Sequence, residues 1–72
     1  MVKQEVLQVK FIEVTTNAGR RIMLSANQIV AFAECIDVKG SECRILVSGY
    51  DQWLYVRESY EKVGNLIHDI LS

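Results

Sequence analysis

The chain has 72 residues, half of them apolar, a formal net charge of −1 and no proline. That length makes one domain near the lower limit for folding without staples, and so short a chain buries only about 60% of the surface its unfolded form exposes. The eight basic residues, Lys3, Lys10, Arg20, Arg21, Lys39, Arg44, Arg57 and Lys62, are dispersed, against the concentrated positive face of a nucleic-acid binder, and no run approaches the roughly 18 to 20 apolar residues of a membrane span.

No positively charged segment leading into an apolar run opens the sequence, so no signal peptide is expected and a cytoplasmic location is. A single small core is not expected to hide all the apolar side chains. The surplus is expected in a second buried surface, at a subunit or partner interface. The alternative is a monomer with scattered exposed apolar residues.

Residues 1–5 read as a frayed start. Residues 6–16 read as the first strand, long for one element. Leu7, Val9 and Phe11 share one parity, then Ile12 and Val14 the other, which implies a bulge or bend near Phe11 or two covered faces. Asn17-Ala18-Gly19 is a turn, because Asn and Gly tolerate positive φ. Residues 20–24 return as a second strand with Ile22 and Leu24 inward. Ser25-Ala26-Asn27-Gln28 breaks the pattern as a single helical turn. Residues 29–37 read as a third strand, apolar on both parities and therefore buried on both faces.

Val38-Lys39-Gly40 then suggests a three-residue loop with Gly40 left-handed, which would set Cys35 opposite Cys43. A register shifted by one would separate them. In a reducing compartment both are expected as free, packed thiols, with a redox-active pair as the alternative. Residues 42–48 form a fourth strand, with Cys43, Ile45 and Val47 on one face. Gly49-Tyr50-Asp51 turns the chain into a fifth strand over residues 52–57. There Leu54 and Val56 share one face and Trp53 and Tyr55 the other. If the aliphatic pair fills the core, the aromatic pair points outward; in the opposite reading the aromatics are core. At residue 58 the hydrophobic period changes. Tyr60, Val63, Ile67 and Ile70 recur at steps of three and four, so residues 59–71 read as a helix, capped by Ser59 and favoured by Glu61 in its first turn. Gly64 inside it costs about 1 kcal/mol relative to Ala, which a close approach of helix and sheet would rationalise.

These readings give one α+β domain over residues 1–72: a small, curved antiparallel sheet or open barrel of four to five strands over residues 6–57, with one C-terminal helix. No catalytic, metal or cofactor constellation stands out. Two cysteines and the distant His68 do not make a zinc site. His68 shares a helix face with Glu61 and Asn65, and a sequence neighbour such as Asp69 does not face it on a helix. Asn17-Ala18-Gly19-Arg20 lacks the spacing of a phosphate loop.

The segments FIEVTTNAGRRIMLSANQIVAFAE and LYVRESYEKVGNLI resemble the small bacterial FlbD-like (SwrD) proteins of flagellar and swarming motility, over about residues 11–71. The matching residues are Gly19, Ile22, Leu24, Asn27, Ile29, Val56, Glu58, Ser59 and Val63. The family's Asn-Gly-type turn before the last strand is here Ser48-Gly49-Tyr50-Asp51, and ten N-terminal residues precede the family's usual start. The resemblance implies a small, non-enzymatic, interaction-prone β protein. A more distant similarity links Tyr55, Val56, Arg57 and Ser59 to LytTR-type DNA-binding domains, which are larger and more basic.

The expected function is a non-enzymatic interaction module whose partner is itself, another protein, or both. Its candidate interface residues are Trp53, Tyr55, Phe32 and Tyr50, with an exposed strand edge as a second route. The alternatives are a nucleic-acid-binding regulator or an oligomeric binder of a small anionic ligand, with Arg20, Arg21, Arg44 and Arg57 as contacts.

Overall fold

The computed structural model describes residues 10–72. The fraying expected over residues 1–5 and the start of the first strand at residue 6 lie outside the described residues. Five short strands and one helix follow in order: β1 (Phe11–Thr15), β2 (Arg21–Ser25), a single 3-10 turn (Ala26–Gln28), β3 (Ile29–Glu34), β4 (Cys43–Val47), β5 (Leu54–Val56) and α1 (Tyr60–Leu71). The fold is α+β, as the change of period indicates.

The strands form two antiparallel ladders, β1–β2 and β3–β4–β5, not one continuous sheet, and they do not close into a barrel. β1 and β2 pair without a register shift, Ile12 opposite Leu24 and Val14 opposite Ile22. Those four side chains turn inward while Phe11 and Met23 face out. The two ladders meet at one end. Thr16 bridges to Val56, the Arg57 N–H donates to the Thr15 carbonyl at 2.8 Å, and the Asn17 N–H donates to the Tyr55 carbonyl at 3.1 Å. The Glu58 carboxylate adds a tie by accepting the Thr15 N–H at 2.8 Å.

The turn before β2 needs its glycine. Gly19 sits at φ +89°, and a Cβ there would approach the Arg57 guanidinium at 3.3 Å. Both the left-handed backbone and the overlying arginine disfavour any larger residue.

Inward-facing residues of both ladders and Val63 of α1 make the core: Ile12, Val14, Ala26, Cys43, Ile45, Val56 and Val63. The helix lies across β1 and β3. Its N-terminus is capped as the sequence indicates, the Ser59 hydroxyl accepting the Lys62 N–H at 3.0 Å. A Cβ on Gly64 would stand 3.7 Å from the Phe32 ring, an ordinary contact. The helix does approach the sheet there, but leaves room for a methyl group.

Two expectations need correction. The third strand is neither as long as residues 29–37 nor covered on both faces. β3 ends at Glu34 and, among the described residues, is the outer strand of its ladder, with Val30 64% exposed. Its pairing with β4 shifts between Ile29 and Ala31. Such a bulge adds an unpaired residue and re-aims its neighbours, so the doubly apolar pattern arises from a parity change along an edge strand. The cysteines are not cross-strand partners either. Gly40 is left-handed (φ +82°), yet Glu34 stands opposite Cys43 and the Cys35 N–H donates to the Glu42 carbonyl. The early end of β3 lengthens the loop and shifts the register by one. Both thiols are free and buried.

Candidate interaction face

The alternation of β4 and β5 divides their side chains between two faces. Cys43 and Ile45 on β4 and Val56 on β5 are fully buried, and Leu54 packs against them. Arg44 and Leu46 therefore point the other way, as do Trp53 and Tyr55. Register sets Ala33, Arg44 and Tyr55 side by side across the three strands. Of the two readings of the fifth strand, the arrangement with aliphatics in the core is the one observed.

On this outer face the Arg44 guanidinium lies over the Trp53 ring, 4.5 Å from its centroid. A cation on an indole face is held by the ring's negative quadrupole, more strongly as water is removed. Arg44 Nε is buried without a hydrogen-bond partner; the ring offers it a π face but no acceptor oxygen. Trp53, Tyr55, Leu46 and Ala33 are all half-buried, a mixed aromatic, aliphatic and cationic patch of the kind enriched at interfaces.

The other expected interface residues lie elsewhere. Phe32 belongs to the inner side, where it packs against the core with its ring 5.1 Å from that of Tyr60. Tyr50 is exposed in the turn between β4 and β5.

The four candidate arginines do not assemble into one positive surface. Arg57 lies over the Asn17–Gly19 turn, its Nη2 donating to the Asn17 carbonyl at 3.4 Å, and the exposed Arg20 follows that turn in the chain. Arg21 lies 3.7 Å from the Glu13 carboxylate on the exposed face of β2, and Arg44 covers Trp53. A backbone-tracking nucleic-acid site needs such charges along one groove. His68 and Asp69 do approach, at 3.7 Å, contrary to the expectation from their adjacency. Both are exposed, and side chains at adjacent positions on the helix surface are free to rotate toward each other.

A further apolar feature was not anticipated. Between β3 and α1 runs a groove of about 320 Å³ lined by Ala26, Ile29, Val30, Ala31, Phe32, Tyr60, Ile67 and Leu71. Its signal in the sequence was the apolar run of β3 itself, read as burial on both faces.

The Cys43 thiol is pushed above its ordinary value of 9.0, first by burial and further by the neighbouring Cys35, with backbone hydrogen bonds at Ala33 and Arg44 opposing. It is a packed, protonated core group at neutral pH and a poor nucleophile. Among the described residues no three His, Cys, Asp or Glu side chains converge to hold a metal, and no helix is long and apolar enough to cross a membrane. No family model matches the chain, and neither a curated protein nor a solved structure matches it significantly.

Proposed function

We propose that this chain is a small, non-enzymatic interaction module that self-associates through the outer face of β3–β4–β5. The observation that carries the reading is the Arg44–Trp53 stack beside Tyr55, on the face opposite the apolar core. A second copy suits this face because one patch carries both a cation and aromatic surface, Arg44 with Trp53 and Tyr55. A two-fold axis through the patch sets each cation against the partner's aromatic surface, as an isologous contact requires. A net charge of −1 opposes such pairing only weakly. The pattern-level resemblance to FlbD-like proteins supports the same type of function.

Light scattering over a range of protein concentrations tests this. The parent chain is expected at twice its monomer mass. Trp53→Ala combined with Tyr55→Ala is expected to return it to monomer while the far-ultraviolet circular dichroism is unchanged. A parent that stays monomeric at all concentrations, or a variant that dimerises like the parent, overturns the reading.

A further inference from the structure

Cross-strand register orders more of the outer face than the Arg44–Trp53 stack. β4 and β5 pair with Arg44 opposite Tyr55. Two positions away on either side, the same register sets Leu46 opposite Trp53 and Glu42 opposite Arg57. The Glu42 N–H donates to the Val56 carbonyl at 2.9 Å, so the pairing persists at that end. Alternation keeps all six side chains on the outer face. The face is therefore three rows across two strands: an acid beside a base, a base beside a phenol, and a leucine beside an indole.

One of these rows is left incomplete within the chain. Glu42 and Arg57 are both exposed, yet the ion pairs among the described residues are Arg21–Glu13 and His68–Asp69. Arg57 leans instead over the Asn17–Gly19 turn, where its hydrogen bond to the Asn17 carbonyl is 3.4 Å long. Glu42 remains a carboxylate on the face without a cation against it.

Two copies stacked on this face are related by a two-fold axis lying in the plane between them. An axis across the strands, through the Arg44–Tyr55 row, sets Arg44 against the partner's Arg44 and Glu42 against the partner's Leu46. That arrangement brings like charges together and covers a carboxylate with a leucine, both costly. An axis along the strands, midway between β4 and β5, turns the second sheet over and keeps each row at its own height. β4 of each copy then lies on β5 of the other. Glu42 meets the partner's Arg57, Arg44 meets the partner's Tyr55, and Leu46 meets the partner's Trp53, each contact made twice. The Arg44 guanidinium, already on its own Trp53, gains a second aromatic surface as water is removed. Twisted sheets packed face to face keep their strands within about 30° of each other, close enough to hold a match over three rows.

Resting on self-association through the outer face, we infer that the second copy seats its β5 on β4 and its β4 on β5, and that Glu42 paired with the partner's Arg57 selects this arrangement.

Charge reversal tests it, with dimer dissociation constants read by light scattering at low salt. Glu42→Arg sets a cation against the partner's Arg57, and Arg57→Glu sets a carboxylate against the partner's Glu42. Each variant alone is expected to raise the dissociation constant at least about tenfold. An equimolar mixture of the two is expected to recover the parent's affinity as a heterodimer. The chain carrying both reversals keeps the parent's net charge and is expected to recover it as a homodimer. Recovery also shows that the single variants fold. Weakening without recovery overturns the arrangement. If the parent dimerises and neither reversal changes its dissociation constant, the arrangement falls while self-association stands. A parent that is monomeric at every concentration overturns both. A second measurement needs no variant: in a mixture of isotope-labelled and unlabelled parent, intermolecular nuclear Overhauser contacts are expected from the Leu46 methyls to the partner's Trp53 ring. A dimer without those contacts overturns the arrangement.

Discussion

The two faces of the β3–β4–β5 sheet are built from adjacent residues of the same strands, yet they differ in kind. Cys43, Ile45 and Val56 are sealed beneath α1 and the β1–β2 ladder, whereas Arg44, Trp53 and Tyr55, on the alternate positions, are only half-buried. Burial removes apolar area from water on the inner face and so sets stability. The outer face holds a cation on an indole and one unpartnered guanidine nitrogen, an arrangement that adds little to the monomer. The difference teaches that in a domain this small one face makes the fold and the other is left for contact.

The sharpest way to break that distinction is to cut into each face. Ile45→Ala removes a fully buried side chain at the centre of the core, and is expected to cost about 3 kcal/mol. Thermal unfolding should then fall by at least about 12 °C for a domain of this size. At the helix covering the inner face, Gly64→Ala is expected to stabilise by about 1 kcal/mol, because the new methyl meets the Phe32 ring at an ordinary distance and relieves the helix of a glycine. A destabilised variant would show that the helix lies closer to the sheet than described. On the outer face, Arg44→Leu keeps an aliphatic stem and removes the stacked charge, and should change the free energy of urea unfolding by about 0.5 to 1 kcal/mol at most. A loss as large as that at Ile45 would make the outer face part of the core and dissolve the comparison.

The smallest effect concerns pH. Because burial raises the Cys43 thiol above its ordinary value, the native state holds that proton more tightly than the unfolded chain. Stability from this source is complete below the unfolded thiol value of 9.0 and is lost as pH rises through the folded value. Urea midpoints measured from pH 7.5 to 10 should therefore decline at the alkaline end more steeply for the parent than for Cys43→Ala. Parallel profiles would show that Cys43 does not sense its burial.

Much of this was legible along the chain. The step of three and four after residue 58 located α1, and the Ser59 side chain caps it as its position indicates. The alternation over residues 53–56 separated Leu54 and Val56 from Trp53 and Tyr55, although not which pair faced inward. The β3 run was misread for a physical reason. A bulge changes parity between Ile29 and Ala31, and a strand whose apolar residues switch sides has the same composition as one buried on both. Of the candidate site residues, Trp53, Tyr55 and Arg44 are brought together by cross-strand register, a contact between β4 and β5 that no local pattern encodes. Phe32 was grouped with them by its chemistry and separated from them by the same register.

By itself, then, the sequence determined the local choices: where turns fall, which residues alternate, where period two gives way to a helix and how that helix begins. Steric freedom of glycine, side-chain spacing and capping hydrogen bonds act within a few residues, so they can be read in order. Only the tertiary structure decided that the strands of the described residues make two ladders, that β3 lies beside an apolar groove under α1, that the face carrying Leu54 and Val56 is the core, and that Arg44 covers Trp53. Those outcomes depend on which strands pair and in what register, and that is settled by burying the most apolar area across segments distant in sequence.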